Sequence, residues 1–499
     1  GRWMKAIPTQ PLCLTCHGDT LEPELAEAVR DAYPEDRATG FAVGVGGCDS
    51  LTEGYDKDPN QPTTADAGLI LNSAQVGTIL YNDGNHARIA AIWSGHLTGA
   101  DRQYLGLNNY NATSSDFDNL WITGYADVLG DLQDVKSKTR GSNPLLLGIA
   151  QVLEAYTFGV TTSLHGDVPY TQAAAGRENL NPEFTGQSTI YQGVVDSLDA
   201  AIANLEAGGI SPGQQDVFFN GDAQPWIEVA YTLKARFQLH RGNYEGALTA
   251  AQNGISSRDN NLIAPHGGSQ SVNTNPFWLF KEVERSTYMT AGDSYAARLL
   301  DSSADAYRGN SKTDESARFG EYFITTEDGS YDMNTSEGAY FGKAADYALV
   351  TYAENELIEA EAELLVNGSS GYSDALAALN NARDANDAKL APGTDNYEDY
   401  ALSDFASGGL ANDGQSQGNA LLTEVLEEKY LTLMAHIETF NDVRRTDNFL
   451  GVPVKDGNEL PQRFLIPQVE ITTNDNAPSN PPGIFQETPV NSEVDYTGL

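Results

Sequence analysis

The sequence predicts a mainly α fold: a helical-repeat scaffold that carries an irregular, loop-rich insertion and follows a short N-terminal segment of different character. Three observations predict it. Apolar residues recur at helical spacing over most of the chain from residue 65 onward. Two stretches, 225–256 and 345–385, share a helix–turn–helix pattern with small residues in the second helix. Between them, residues 258–343 lose that period and are rich in Asn, Ser, Gly and Tyr.

Bulk composition bounds the function. A chain of 499 residues exceeds what a single core usually serves, so one large composite fold or two to three lobes are expected. Hydrophobic residues at 40% and aromatics at 9% are ample for a packed interior, which excludes disorder of the whole chain. The 70 Asp+Glu against 29 Lys+Arg leave a formal charge of −41. That sign disfavours nucleic acid and anionic membrane surfaces as partners and reads as a solubilising acidic coat. There is no run of eighteen apolar residues to span a membrane as a helix. All 3 cysteines lie in the first 48 residues, so disulfides do not staple the main body.

Those cysteines carry the chemistry of the N-terminal segment, residues 1–47. Cys13-Leu14-Thr15-Cys16-His17 is a C-x-x-C-H run. Its two thiols are spaced to form thioethers to one porphyrin, and His17 follows as axial ligand to the haem iron. Met4 and His86 are the candidates for the sixth ligand. With Trp3–Pro8, Pro11-Leu12 and Tyr33–Phe41 around it, this part resembles the carboxy-terminal end of a family of small periplasmic single-haem sensor-like proteins. The resemblance covers roughly the first 44 residues, lacks the upstream part of that domain and implies a haem c on Cys13, Cys16 and His17. Val45-Gly46-Gly47-Cys48 resembles a lipoprotein cleavage site, with Cys48 as the lipidated residue, although no apolar segment precedes it. Either Cys48 is a relic inside a fused chain, or residues 1–47 are foreign to the native product; a free buried thiol is the third reading. Asp56, Asp58 and Asn60 alternate as calcium ligands do, but the Gly and Glu that complete such a loop are missing, which favours a solvated turn.

The elements of the main body, 48–499, follow in order. Residues 65–82 place Leu69, Val76 and Leu80 on one stripe, and Asp83-Gly84 closes that helix. Ala87–Leu97 is a second helix, followed by a polar aromatic loop from Gly99 to Tyr110. A long helix at 116–138 carries Phe117, Trp121, Tyr125 and Leu129; Pro144 opens the next, which reaches Thr161. Ile190–Leu205 is helical, with Val194, Leu198 and Ala201 on one face. In 225–256, Trp226 comes early, Gly242-Asn243-Tyr244 turns the chain, and Ala247, Ala250 and Ala251 let the paired helices approach closely, which is the tetratricopeptide pattern. It recurs at 345–385, with Leu357, Ala360 and Leu364 before the Gly371-Tyr372 turn and Ala375, Leu379 and Ala382 after it. The helices at 65–98 and 116–160 read as degenerate copies, 421–440 as a further helix, and the tail from 450 as Pro/Asn-rich.

Several segments in order resemble the SusD/RagB superfamily of outer-membrane nutrient-binding lipoproteins. They are Phe117–Tyr125, His165–Tyr170, Tyr352–Glu361, Glu427–Tyr430, Glu438–Thr446 and Pro461–Pro467 with Glu470 and Asn474; together they cover about 49–499. The resemblance implies tetratricopeptide-like units, an irregular ligand-binding part, a lipid anchor in the outer leaflet and a SusC-type TonB-dependent transporter as partner. It implies glycan, or sometimes peptide, as ligand and no catalysis. Arg444 and Arg445 beside Asp442 and Glu438 read as a buried ion-pair network, and Trp121 and Trp226 as core.

Sugars are held by flat aromatic faces with Asn, Asp and Arg on the hydroxyls. Asp101, Arg102, Tyr104, Asn108 and Tyr110 in the polar loop, and Trp278 and Tyr288 in the insertion, have that composition and are the candidate ligand-binding residues. No G-x-S-x-G, H-E-x-x-H or phosphate-cradling glycine loop is present to support an enzyme. The rival reading is a haem-bearing electron-transfer or assembly-forming extracellular protein with the helical body as scaffold, which requires chain-to-chain stacking to bring haems close.

Overall fold

A computed structural model describes residues 65–499 apart from 271, 391–395, 458, 493–495 and 497–499. Met4, Cys13, Cys16, His17, Cys48, Asp56, Asp58 and Asn60 lie outside the described residues. The compact unit described below spans Asp66–Leu499.

Asp66 accepts a hydrogen bond from the Gly68 amide and starts α1 (Ala67–Asp83), which α2 (Asn85–Trp93) follows after Gly84. Strand β1 (Thr98–Gly99) leads to α3 (Arg102–Asn108). A continuous helical rod then runs through α4 (Asp118–Ile122), a π-helical stretch (Thr123–Leu129) and α5 (Gly130–Thr139). Helix α6 (Pro144–His165) has its proline in the first turn, where the missing amide costs nothing. Strands β2 (Val168–Pro169) and β3 (Phe184–Thr185) pair before α7 (Gln187–Ala207), α8 (Ala223–His240) and α9 (Tyr244–Ala251).

The irregular part contains β4 (Leu262–Ala264), α10 (Pro276–Leu279), β5 (Met289–Thr290), α11 (Tyr295–Leu300), α12 (Ser316–Tyr322), β6 (Phe323–Thr325), β7 (Tyr331–Met333) and β8 (Tyr347–Val350). Helices α13 (Tyr352–Asn367), α14 (Tyr372–Leu390), α15 (Gln417–Thr432), α16 (Ile437–Arg445) and α17 (Gln468–Thr473) complete the chain. The strands form antiparallel two-stranded ribbons, β1–β5, β2–β3, β4–β8 and β6–β7.

The expected helical pairs at 225–256 and 345–385 are present as α8–α9 and α13–α14. The earlier units divide differently from the boundaries read in the sequence. Helix α1 packs mainly on the α4–α5 rod, and α6 packs most extensively on α7. Small residues make these approaches: a Cβ on Gly77 would lie 2.9 Å from Val128, and one on Gly148 2.8 Å from Leu205 of α7. By length and apolarity α6 is able to cross a membrane, but here it is a core helix buried along nearly its whole length.

The sequence readings of two helices are corrected. Leu69, Val76 and Leu80 face solvent rather than the core. The buried face of α1 instead carries Leu71, Ala74 and Ile79 with polar residues that have fixed partners: Gln75 Nε2 donates to Asp216 (2.7 Å) and Tyr81 Oη pairs with Thr161 (2.7 Å). Residues 421–440 do not form one helix. The chain breaks between α15 and α16, where Ala435 adopts φ +55°. The break is held from outside: Tyr340 donates to the Met434 carbonyl (2.7 Å), Tyr347 to that of Ala435 (3.1 Å), and His96 Nδ1 accepts the Ala435 amide (2.9 Å).

Buried ion pairs join the helices. Arg236 of α8 donates twice to Glu354 of α13 (2.6 and 2.7 Å), and His240 lies 2.8 Å from Glu438 of α16. Arg445 of α16 grips Glu361 of α13 with two 2.7 Å bonds and Asp442 with a third. Arg308 and Arg318 of the irregular part converge on Glu428 of α15 (2.9 and 2.5 Å), and Arg308 also meets Glu424. Arg444, expected in the same ionic network, instead donates to the carbonyls of Gln462 (2.7 Å) and Ser163 (2.8 Å). Its guanidinium joins the tail to α6, because carbonyl oxygens there need donors. Trp226 and Trp121 are buried as expected, donating to Asp216 (2.8 Å) and Glu470 (3.1 Å).

Removing one partner of the Arg445–Glu361 pair strands a charge in the interior. We expect Arg445→Met to lower the free energy of unfolding by about 3–5 kcal/mol in urea titrations, and the added change Glu361→Leu to restore most of it. Acid stability has two regimes. Burial holds His86 down to about 4 and His96 and His165 to about 3, so they contribute stability above 6.5 that is lost as pH falls. Against the cost of burial, His240 and Arg236 hold Glu438, and Arg318 and Arg308 hold Glu428, well below the usual carboxylate range; that stability is present above 4.5 and lost on acidification. Burial raises Glu359 and Glu427 to about 7, so they lose stability as pH rises from 4.5 through 7. The three histidines outweigh the two glutamates, so the urea midpoint falls gently between about pH 6.5 and 4.5 and steeply below that.

Candidate functional site

The polar loop and the insertion meet through the β1–β5 ribbon, in which Thr98 faces Thr290 and Gly99 faces Met289. The Ala100 amide continues the ladder to the Tyr288 carbonyl (2.8 Å). Gly99 is required there, because a Cβ would lie 2.0 Å from the Tyr104 carbonyl oxygen. The pairing brings Asp101, Arg102, Tyr104 and Tyr288 to one edge of the molecule although some 180 residues separate them in the chain. Asp101 caps α3 by accepting the Arg102 amide (2.9 Å) and also accepts the Thr287 hydroxyl (2.9 Å). Arg102 holds a left-handed φ of +48° with a side chain 75% exposed. Non-glycine residues in that region store strain, and such strain clusters at ligand-binding sites.

Behind this edge is an aromatic cluster. The Tyr104 ring lies 4.7 Å from Phe280 and 6.1 Å from Tyr288. Arg88 sits 4.6 Å over Phe280 and donates to the Tyr104 hydroxyl (3.0 Å), which in turn donates to Asn85 (2.8 Å). Arg285 lies over Tyr288 at 5.6 Å. Tyr104 is thus consumed by internal contacts, and its hydroxyl positions Arg88.

The other candidates are buried or half-buried, and Asn108 accepts the Gly99 amide of β1 (3.1 Å). Asn108 and Tyr110 are buried, and both hold Lys455: Asn108 Oδ1 accepts its ammonium (3.1 Å) and the Tyr110 hydroxyl accepts its amide (2.9 Å). Burial pushes Lys455 down to about 7. Trp278 is half-buried on α10 with Lys343 over its ring at 5.2 Å. His86 is enclosed between Tyr81 (4.4 Å) and Phe464 (5.8 Å), with Nδ1 on the Tyr81 carbonyl.

The exposed edge therefore presents Asp101, Arg102, Arg285 and part of Tyr288. A carboxylate, guanidinium groups and a partly covered ring suit a polyhydroxylated ligand, in which hydroxyls pair with charged groups and a C–H face meets the ring. Sequence reasoning missed Arg88, Arg285 and Phe280; the one local signal was Arg285, three residues before Tyr288. Among the described residues no group of His, Cys, Asp and Glu is arranged to hold a metal ion.

Comparison with known proteins agrees with this architecture. No curated protein sequence matches the chain. A SusD/RagB family protein from Bacteroides thetaiotaomicron superposes with a TM-score of 0.61 at 23% identity, covering 83% of this chain and 95% of that one. A SusD homologue from Bacteroides fragilis gives 0.63 at 18% identity over 86% and 99% of the two chains. A chitin-binding SusD homologue from Flavobacterium johnsoniae gives 0.61 at 15% identity over 84% and 98%. These likenesses establish the fold. Residues 59–467 match the SusD-like family described as starch-binding and associating with the outer membrane, and the chain belongs to that family.

Proposed function

We propose that this protein captures glycan fragments at the cell surface and passes them to a SusC-type TonB-dependent transporter in the outer membrane. The observation that carries the reading is the family match over residues 59–467, a family of substrate-binding rather than catalytic proteins associated with the outer membrane. The exposed Asp101–Arg102–Arg285 edge, with its strained Arg102 backbone, supports a ligand site there. The chitin-binding neighbour makes chitin oligosaccharides the first ligands to test, with starch fragments next and peptides as the alternative class. Cys48 is the proposed point of lipid attachment.

The second reading rests on Cys13-Leu14-Thr15-Cys16-His17: these residues attach a haem c, with the helical body as its carrier. In that case electron transfer requires copies of the chain to stack so that haems approach one another.

In affinity electrophoresis and calorimetry, one of these polysaccharides retards the protein. Arg102→Ala and Tyr288→Ala each weaken that binding about tenfold, near 1.4 kcal/mol, with unchanged melting temperature. No new reducing ends appear on incubation. Equal binding by wild type and both variants removes the site from this edge. For the haem reading, the full chain made in cells that mature c-type cytochromes shows a Soret band and a mass increase of one haem, and Cys13→Ser/Cys16→Ser shows neither. A wild-type chain without the band ends that reading.

A further inference from the structure

A second cleft lies on a different set of elements. The 3₁₀ turn Arg258–Asn260, β4, β8, α14 and the break between α15 and α16 enclose about 240 Å³. We propose that this cleft binds a carboxylate carried on a small apolar body. Its floor is aliphatic: Ala353, Ala385 and Leu433 are buried there, with Ile263 and Ala348 beside them. Its rim carries two cations, the exposed Arg258 and Lys389, whose ammonium lies against the Tyr340 ring. Neither forms an ion pair among the described residues, whereas Arg236, Arg308, Arg318 and Arg445 are all matched to glutamates.

In a chain of formal charge −41, these two cations meet on one concave, mostly apolar surface. Burial pushes the Lys389 ammonium down, Glu321 pushes it up through space, and Arg318 behind it is engaged by Glu428. His436 contributes no charge to the cleft, because burial holds it neutral and both ring nitrogens are occupied, by the Leu349 carbonyl (3.2 Å) and the Glu438 amide (3.1 Å). A carboxylate meeting Arg258 and Lys389 gains charge-assisted hydrogen bonds where water is thinned by the aliphatic wall.

The same geometry argues against a sugar. The aromatic face in the cleft is that of Tyr340, already covered by the Lys389 ammonium at 4.9 Å, and its hydroxyl is committed to the Met434 carbonyl (2.7 Å). The volume falls below the roughly 300–1,000 Å³ of sites for drug-sized ligands, so the occupant is a group of a few carbon atoms.

Calorimetric titration of the full chain with 4-methylpentanoate, and with 4-methylpentanamide as its neutral twin, tests the proposal. The acid binds with a Kd on the order of 1 mM or tighter, and the amide at least about tenfold more weakly. Arg258→Gln and Lys389→Gln each weaken the acid about tenfold, and Ala348→Leu, which fills the cleft, abolishes its binding. A leucine-terminated peptide that binds with a free C-terminus but not as its amide also supports the site. Equal binding of acid and amide, no binding of the acid, acid binding that survives Ala348→Leu, or a preference for D-glucuronate would overturn it. Arg102→Ala leaves this titration unchanged, so failure here and failure of the glycan reading are separable.

Discussion

Arg445 lies in the interior with both terminal guanidinium nitrogens on Glu361 and its Nε on Asp442, and that contact ties α16 to α13. Arg236 does the same between α8 and α13, and Arg308 and Arg318 tie the irregular insertion to α15. Ions at such depth gain little over apolar residues of the same size, since desolvation offsets most of the attraction. What they impose is uniqueness: a helix slipped by one turn leaves a charge unmatched, at a cost of several kcal/mol.

This constraint explains how an insertion with little regular structure keeps a defined shape. Its ribbons are two-stranded, and such ribbons are marginal alone. It is held instead by tyrosine hydroxyls on the carbonyls of the α15–α16 break and by arginines on α15 glutamates. The break in turn needs those tyrosines, because the carbonyls of a helix end require donors. Scaffold and insertion complete each other, and the exposed Asp101–Arg102–Arg285 edge is joined to the insertion by the β1–β5 pairing. The proposed carboxylate cleft opens at the same junction, and Arg258 and Lys389 on its rim form no ion pair among the described residues.

Legibility followed the range of the interactions. The 225–256 and 345–385 pairs were visible because their cause is local: small residues at helical spacing and a glycine turn. In α1 the visible stripe of Leu69, Val76 and Leu80 pointed the wrong way, since its buried polar face is satisfied by Asp216 and Thr161, 141 and 80 residues distant. Arg444 was grouped with acids by proximity in the chain, but its partners are carbonyls of Ser163 and Gln462. Tyr104, Asn108 and Tyr110 had the composition of a sugar site, yet each is drawn into internal bonds with Arg88 or Lys455.

The sequence alone determined the helical class, the repeat units, the family and the charge that sets this chain against nucleic acid, because periodicity, motif order and composition are properties of the chain itself. Only the tertiary structure decided which face of α1 is inside, where 421–440 breaks and which cations form no ion pair among the described residues. Those outcomes depend on hydrogen-bond partners 80 or more residues away, and a buried polar group takes its place from its partner rather than from its neighbours in sequence.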